Sequence, residues 1–261
     1  MPVFTDQTGH VIQLAQIPKR IISLVPSQTE MLYDLGLEDE VIGITKFCIH
    51  PASWFQNKIK VGGTKQLHLE KIRQLKPNLI IANKEENTRE QIEELDKEFP
   101  VWISDIHNLD EAIKMILEVG IITGTEDKAC EITNNIQHNF SLLPTNLSRP
   151  RCAYLIWKKP LMAAGGDTFI HAMMEKAGFE NVFSELLRYP EVTIQTIIES
   201  GCEYLLLSSE PFPFSEKHIE ELQPLLPGIK LVLVDGEMFS WYGSRIAGFP
   251  KYVQTLGLDK R

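Results

Sequence analysis

The sequence predicts an α/β fold of two lobes with parallel sheets, joined by a single long helix. Two observations support this. Short apolar runs alternate with helical patterns along the 261 residues, as in parallel sheets covered on both faces. Residues 70–82 and 195–207 also share one pattern, a short helix, a turn and a buried strand, without a gap. Two lobes imply a cleft between them, where small ligands usually bind.

The strand candidates are continuous apolar runs, each of the length expected for a buried strand. They cover residues 21–25, 41–45, 79–82, 101–104, 152–157, 204–208 and 231–235. Before the first of them, residues 5–14 are typical of a hairpin that turns at Gly9.

Helical patterns lie between these runs, and glycine or proline marks their ends. Residues 29–35 end at Gly36 and residues 169–177 end at Gly178, because glycine suits the position after a helix. The stretches around these glycines, 31–39 and 173–181, also match each other in pattern. This second repeat again indicates two lobes of similar design.

The pattern between the lobes predicts a connecting helix. Gly124 breaks the helical stretch 109–123, and Thr125 is a suitable N-cap for a new helix that reaches residue 143. At 1.5 Å per residue this helix is about 27 Å long. Residues 144–150 then form the linker. The predicted division is an N-terminal lobe over residues 1–124, a connecting helix over 125–146 and a C-terminal lobe over 147–261.

Charge and composition exclude several classes of function. The formal net charge of -9 argues against nucleic acid or an anionic membrane as partner. No apolar run approaches the roughly 18 residues of a membrane span. Residues 1–6 have neither a basic nor an apolar signal region. We therefore expect either a cytoplasmic protein, if Met1 is the native start, or a chain that begins after a removed export signal.

The sequence also carries no familiar catalytic motif. Phosphate-binding loops, nucleophile elbows and the H-E-x-x-H zinc motif are all missing. The seven histidines are scattered without ligand spacing, and no two cysteines form a C-x-x-C pair. We expect no catalytic residues, no protein-bound metal and no intrinsic cofactor.

Aromatic residues follow several strand candidates, at the sheet edge where α/β proteins bind ligands. Aromatic faces with few fixed charges suit a large, flat, partly apolar ligand. These residues are Phe47, Trp157, Phe239, Trp241 and Tyr242, with Arg245 close behind. The alternative is that each ring fills a gap within its own lobe.

Three segments resemble substrate-binding proteins of ABC importers of the helical-backbone type, which carry vitamin B12, ferric siderophores or haem. They are Pro18-Lys-Arg-Ile-Ile-Ser-Leu-Val-Pro-Ser-Gln-Thr-Glu30, Leu69-Glu-Lys-Ile-Arg-Gln-Leu-Lys-Pro-Asn-Leu-Ile-Ile81 and Gly178-Phe-Glu-Asn-Val-Phe183. The resemblance extends from about residue 5 to about residue 256. It implies a class III periplasmic-binding-protein-like fold with two Rossmann-like lobes, closest to the vitamin B12-binding proteins.

The resemblance also implies roles for particular residues. In this family a glutamate on each lobe docks on arginines of the membrane permease. Glu70 matches the first glutamate, and Gln195 takes the place of the second. Residues implied at the ligand are Phe47, Tyr189, Glu237 and Phe239, with Trp157, Trp241, Tyr242 and Arg245 as further contacts. Two pocket tryptophans of the family are replaced, by Thr64 and Asn83.

The resemblance implies a monomer that binds cobalamin or another metal chelate and works with a permease and ATPase complex. An anionic siderophore needs cations, for which Arg245, Arg188 and Lys158 are candidates, and haem would need a ligand such as His50 or Tyr242. An exported chain would be periplasmic or anchored to the cell envelope. Two alternatives stay open at this point: a cytosolic protein or enzyme that handles a corrinoid or metal cofactor, and a two-lobed sugar-nucleotide enzyme.

Overall fold

The computed structural model describes residues 2–144 and 149–256, which form two compact units. Unit 1 reaches to Ile106 and also contains Asp110–Gln137 and Tyr242–Arg245. Unit 2 contains His107–Leu109, the stretch from His138 to Trp241 and the segment that begins at Ile246. The predicted domain boundary at 146/147 lies outside the described residues. The division into 1–124, 125–146 and 147–261 stays a prediction.

Unit 1 is built on a parallel sheet, with two short antiparallel ribbons beside it. Its strands are β1 (Val3–Thr5), β2 (Val11–Gln13), β3 (Ile21–Ser23), β4 (Val41–Ile44), β5 (Ile59–Lys60), β6 (Gly62–Gly63), β7 (Gln66–Leu67), β8 (Leu79–Asn83) and β9 (Val101–Ser104). The parallel sheet has the order β5-β4-β3-β8-β9, and β1 pairs antiparallel with β2. The predicted hairpin is present, and Gly9 adopts a φ of 85° in its turn.

The helices of this half connect the parallel strands and cover the sheet. They are α1 (Pro26–Asp34), α2 (Ala52–Asn57), α3 (Leu69–Leu75), α4 (Arg89–Asp96) and α5 (Leu109–Thr123). Helix α6 (Glu126–Ser141) follows, slightly shorter than the predicted 125–143, and the boundary between the units falls within it, after Gln137. In unit 2, its Phe140 stacks on Phe249 with ring centroids 5.8 Å apart.

Unit 2 contains a second, mostly parallel sheet. Its strands are β10 (Arg151–Trp157), β11 (Met162–Ala163), β12 (Glu180–Asn181), β13 (Tyr204–Ser208) and β14 (Lys230–Val234). The order is β11-β10-β13-β14, where β10, β13 and β14 are parallel, β11 is antiparallel and β12 pairs with β10. The helices are α7 (Phe169–Lys176), α8 (Ile194–Glu199), α9 (Glu216–Leu222), α10 (Gly236–Ser240) and α11 (Phe249–Thr255).

The internal repeat predicted from the sequence is present in the structure. Helix α3 followed by β8 in unit 1 corresponds to α8 followed by β13 in unit 2. Both helices are followed by a residue with positive φ, Lys76 at 45° and Gly201 at 68°. Ile72 and Ile197 are the equivalent fully buried residues of the two helices. The repeat therefore extends from sequence to backbone conformation and burial.

The repeat also includes a surface contact that occurs once in each unit, between an arginine and the end of a helix. The Nε of Arg20, just before β3, donates to the carbonyl oxygen of Leu75 at 3.1 Å. The Nε of Arg151, the first residue of β10, donates to the carbonyl oxygen of Ser200 at 3.2 Å. Leu75 and Ser200 are equivalent positions at the ends of α3 and α8. A cationic side chain thus stabilises the negative end of each helix.

The cores lie between each sheet and its helices. In unit 1, Trp54 and Trp102 are fully buried, and in unit 2 the core side includes Leu205 and Leu207 of β13 and Ile197 of α8. Within the described ranges 2–144 and 149–256, no helix combines the length and apolar character needed to cross a bilayer.

Candidate functional site

Buried amides organise the carboxyl end of the unit 1 sheet. The side-chain oxygen of Asn83 accepts the backbone N–H groups of Glu85 and Glu86 at 2.8 and 2.9 Å. Its Nδ2 donates to Ser104 Oγ at 3.0 Å, and Asn87 Oδ1 accepts the Asn83 N–H at 2.9 Å. Asn83 is itself buried. It therefore positions the loop after β8.

Phe47 is the exposed aromatic residue at this end of unit 1. Its side chain is 51% exposed, with the Lys46 ammonium 5.1 Å from the ring centroid. The ring packs over Gly63, where a Cβ atom would come within 3.1 Å of it. The next residue, Cys48, is buried and its Sγ accepts a hydrogen bond from Thr29 Oγ1 at 3.0 Å. An anchored loop thus presents the ring to solvent.

The segment Tyr242–Arg245 belongs to unit 1, although its sequence lies deep in the second half. The Tyr242 hydroxyl donates to Glu86 Oε1 at 2.9 Å. The guanidinium of Arg245 donates to both carboxylate oxygens of Glu30, each at 2.7 Å. Together these contacts fasten the segment to α1 and to the loop after β8.

Backbone packing holds the same segment. Gly243 lies so close to the carbonyl oxygen of Ser27 that a Cβ atom would collide with it. Ser244 Oγ donates to the carboxylate of Asp34 at the end of α1. Every residue of the segment therefore contacts unit 1.

The structure shows the surroundings of two predicted ligand residues, Arg245 and Tyr242. Arg245 was expected to supply a polar contact to the ligand, but its guanidinium is bound by Glu30. Tyr242 is buried, and burial together with the nearby Glu86 carboxylate raises the pKa of its phenol well above the ordinary value. Its hydroxyl is bound to Glu86 Oε1.

Trp157 is the exposed aromatic residue at the carboxyl end of the unit 2 sheet. It ends β10, is 39% exposed and donates from Nε1 to the carbonyl oxygen of Lys159 at 3.1 Å. Its ring meets Phe212 edge-on with centroids 5.7 Å apart. The neighbouring Lys158 forms an ion pair with Glu221. These contacts hold Trp157 in place while part of its side chain stays exposed.

Two glycines hold the loop that carries Tyr189. The N–H groups of Gly165 and Gly166 donate to the carbonyl oxygens of Arg188 at 2.8 Å and Leu186 at 2.7 Å. A Cβ atom on either glycine would collide with this loop. The loop contains a half-buried Tyr189 and an exposed Leu187. Leu187 was not predicted from the sequence, where an apolar loop residue carries no distinguishing signal.

The aromatic residues near α10 lie in the interior of unit 2. Phe239 is fully buried, with its ring centroid 5.1 Å from that of Tyr154, and therefore offers no surface to a ligand. Trp241 is buried and its Nε1 donates to Glu210 Oε1 at 2.9 Å. Burial raises the pKa of the Glu210 carboxyl. Glu237, in contrast, is half-buried in the first turn of α10.

The two positions expected at the permease occupy the same place in equivalent helices. Glu70 is the second residue of α3, 81% exposed, and accepts a hydrogen bond from Arg73 Nη1 at 2.5 Å. Gln195 is the exposed second residue of α8, and its Nε2 donates to Glu199 Oε1 at 2.6 Å. Across the described ranges, 2–144 and 149–256, no group of His, Cys, Asp and Glu side chains could hold a metal ion.

Comparison with known proteins identifies the family. A family model described as periplasmic binding protein matches residues 21–223. The chain belongs to this family. Its relatives include a vitamin B12-binding protein of Vibrio parahaemolyticus, 26% identical over 73% of this chain and 70% of the relative. An uncharacterised ABC transporter substrate-binding lipoprotein of Bacillus subtilis is 25% identical over 74% of this chain and 65% of the relative.

Solved structures confirm the predicted class III fold of this periplasmic binding protein. A possible iron-binding, periplasmic solute-binding protein of Staphylococcus epidermidis superposes with a TM-score of 0.79, at 25% identity, over 94% of this chain and all of the other. A periplasmic vitamin B12 binding protein of Vibrio cholerae gives 0.78 at 19% identity, over 93% and 99% of the two chains. A periplasmic haem binding protein of the same species gives 0.77 at 21%, over 92% and 99%.

The comparisons agree with the prediction of a binding protein and give no support to the two enzyme alternatives. The matched relatives and neighbours are binding proteins. The family is one of periplasmic proteins, so the comparisons do not support a cytoplasmic role either.

Proposed function

We propose that the chain is the substrate-binding component of an ABC importer and that its ligand is a corrinoid of the vitamin B12 type. Membership of the periplasmic binding protein family supports the general role. The vitamin B12-binding relatives support the ligand class.

The proposed aromatic contacts are the rings that the structure leaves exposed. Phe47 in unit 1 lies just after the parallel strand β4, Trp157 in unit 2 is the last residue of the parallel strand β10, and both keep a large exposed area. Tyr189 and Leu187 add apolar surface in unit 2. Exposed aromatic rings held by their own backbone contacts bind a flat apolar ligand at low entropic cost.

The observation that favours a corrinoid over an anionic iron chelate is the pairing of the candidate cations. Arg245 is bound by Glu30, Lys158 pairs with Glu221, and Arg188 lies 3.9 Å from a carboxylate oxygen of Asp167. Each positive charge expected to receive an anionic siderophore is thus already balanced by a carboxylate. Cyanocobalamin carries little net charge and does not need such cations. Glu237 would supply a polar contact to it.

The same proposal includes location and partner. A protein in this role works outside the cytoplasmic membrane, in the periplasm or anchored to the envelope like the Bacillus subtilis lipoprotein. It would deliver the ligand to a permease and ATPase complex, with the exposed Glu70 among the docking contacts.

Calorimetric titration of the purified protein with cyanocobalamin, haemin and a ferric hydroxamate chelate tests the proposal. We expect saturable binding of cyanocobalamin with a Kd below about 10 µM and at least tenfold weaker binding of the other two. Preferential binding of haemin or the ferric chelate would overturn the corrinoid assignment. An absence of saturable binding to all three would contradict the ligand class itself.

A further inference from the structure

Phe212 contacts the candidate ligand residue Trp157 from the loop that follows the neighbouring strand. Trp157 ends β10, and Phe212 lies four residues beyond the end of β13, which pairs with β10 in parallel. The two ring centroids are 5.7 Å apart and the ring planes are inclined at 71°. Edge-to-face contacts of this kind are favourable beyond the apolar area that they bury. The surroundings of the Trp157 ring are thus set in part by a different segment of unit 2.

The backbone around Phe212 is restrained. Its N–H donates to the carbonyl oxygen of Ile156 at 3.2 Å, and Ile156 is the residue directly before Trp157 in β10. Pro211 and Pro213 flank Phe212, and each proline ring restricts its own backbone φ. The loop therefore holds the Phe212 backbone next to the end of β10 and leaves it few other conformations.

Two buried rings of the unit 2 interior pack on the Phe212 side chain. The centroids of Phe214 and His218 lie 4.8 and 5.2 Å from that of Phe212, and both residues are almost fully buried. The imidazole is itself fixed, because Nδ1 of His218 accepts the N–H of Ser215 at 3.0 Å. Phe212 therefore contacts Trp157 as well as two anchored rings, and a rotation of its ring would lose these contacts.

Trp157 needs such support, because it is only partly enclosed by the protein. Its Nε1 donates one hydrogen bond, to the carbonyl oxygen of Lys159, and much of the rest of the side chain is exposed. A side chain that is already ordered loses less conformational freedom when a ligand binds. The contact with Phe212 would provide this order before the ligand arrives.

We propose that Phe212 is a positioning residue for ligand binding, which holds the Trp157 indole in the orientation that contacts the corrinoid. This inference rests on the proposed function of the chain. It assigns a role to a residue that acts through Trp157. Two consequences follow: affinity depends on an aromatic ring at position 212, and this dependence requires the indole at position 157.

The test measures the cyanocobalamin Kd by calorimetry and the mobility of the Trp157 indole by NMR, both with the purified protein. The substitutions are Phe212→Leu, Phe212→Ile, Phe212→Tyr and Trp157→Ala, together with the double variant Phe212→Leu/Trp157→Ala. The heteronuclear NOE of the indole N–H, assigned with Trp157→Phe, reports whether the ring is ordered in the ligand-free protein. Circular dichroism verifies that each variant is folded.

The matched control is Phe179→Leu, which also removes a ring from the interior of unit 2. Phe179 is buried and its ring lies 6.3 Å from that of Tyr204, the first residue of β13. Because β13 is parallel to β10, this contact lies at the opposite end of the sheet from Trp157. The control therefore separates a general loss of packing from an effect on the Trp157 ring.

We expect Phe212→Leu and Phe212→Ile to weaken cyanocobalamin binding about fivefold and to lower the NOE of the Trp157 indole, because neither residue supplies the edge-to-face contact. Phe212→Tyr should stay within about twofold of wild type, and Phe179→Leu should change neither readout. In the Trp157→Ala background, Phe212→Leu should change the Kd by less than about twofold, since its effect acts through the missing indole.

An equal loss of affinity from Phe212→Leu with and without Trp157 would overturn the positioning role. So would an unchanged affinity or an unchanged indole NOE in Phe212→Leu, if Trp157→Ala weakens binding. Each of these results leaves the corrinoid proposal intact. Wild-type protein that does not bind cyanocobalamin saturably would instead contradict the proposed function, and the role of Phe212 would fail with it.

Discussion

Arg245 donates two hydrogen bonds of 2.7 Å to the carboxylate of Glu30, although 215 positions separate the two residues in the sequence. The side chains are 16% and 19% exposed. The contact closes the segment Tyr242–Arg245 onto α1 of unit 1, while the sequence on both sides of that segment belongs to unit 2. This ion pair therefore makes unit 1 depend on residues from the far end of the chain.

Removing the Glu30 carboxylate should destabilise the protein. Glu30→Gln leaves a largely buried guanidinium with a neutral partner, and we expect it to lower the free energy of unfolding by about 2 kcal/mol. Arg245→Lys should also be destabilising, because a lysine ammonium cannot form the two parallel hydrogen bonds that the planar guanidinium makes with the Glu30 carboxylate. Equilibrium urea unfolding measures both effects.

The matched control for this prediction is Glu93→Gln, which removes the partner of Arg89. That pair is 85% and 58% exposed, so the expected change stays within about 0.5 kcal/mol. Equal effects of Glu30→Gln and Glu93→Gln would show that the pair between α1 and the segment contributes no special stability.

The positive φ shared by Lys76 and Gly201 gives a second prediction. A side chain is strained in the left-handed region, which glycine adopts readily. Lys76→Gly should therefore raise the free energy of unfolding by about 0.5 kcal/mol, and Gly201→Ala should lower it by about 1 kcal/mol. Thermal and urea unfolding would check both signs. A loss of stability in Lys76→Gly would show that the positive φ of Lys76 does not strain the backbone.

The buried carboxyl of Glu210 predicts a pH dependence of stability. Burial raises the pKa of Glu210, although hydrogen bonds from Ser240 and Trp241 partly oppose the shift. A carboxyl whose pKa is higher in the folded state holds a proton that the unfolded state has released. The free energy of unfolding therefore falls as the pH rises from the ordinary glutamate value, about 4.3, through the raised one.

Glu210→Gln should remove this dependence, because the amide oxygen can still accept both hydrogen bonds. We expect the wild type to lose stability relative to the variant as the pH rises above about 4.3, measured by urea unfolding at a series of pH values. A difference between the two proteins that is constant, or that changes in the opposite direction, would argue against a raised pKa.

The repeat and the parallel strands could be predicted from the sequence, because both depend on local patterns of residues. The predicted strands 101–104 and 204–208 coincide with β9 and β13, and the others differ by one or two residues at their ends. Gly36 and Gly178 follow α1 and α7 with positive φ, as predicted. Local apolar runs and helix-ending glycines carry this information without knowledge of tertiary contacts.

The candidate site was less predictable, because the sequence around a loop aromatic residue does not show whether its ring faces solvent or the core. Phe47 and Trp157 are exposed, whereas Phe239 and Trp241 are buried against Tyr154 and Glu210. The partner of Arg245 lies at the other end of the chain, beyond the reach of any local pattern.

We propose that the chain binds a corrinoid through exposed aromatic residues at the carboxyl ends of its sheets. The most direct test is the Kd of cyanocobalamin for wild type, Phe47→Ala, Trp157→Ala and the control Phe55→Ala, an exposed ring on α2. We expect a wild-type Kd below about 10 µM, about tenfold weaker binding in the first two variants and less than threefold change in the control. Wild-type protein that does not bind cyanocobalamin saturably, or equal affinities in all four proteins, would contradict this proposal.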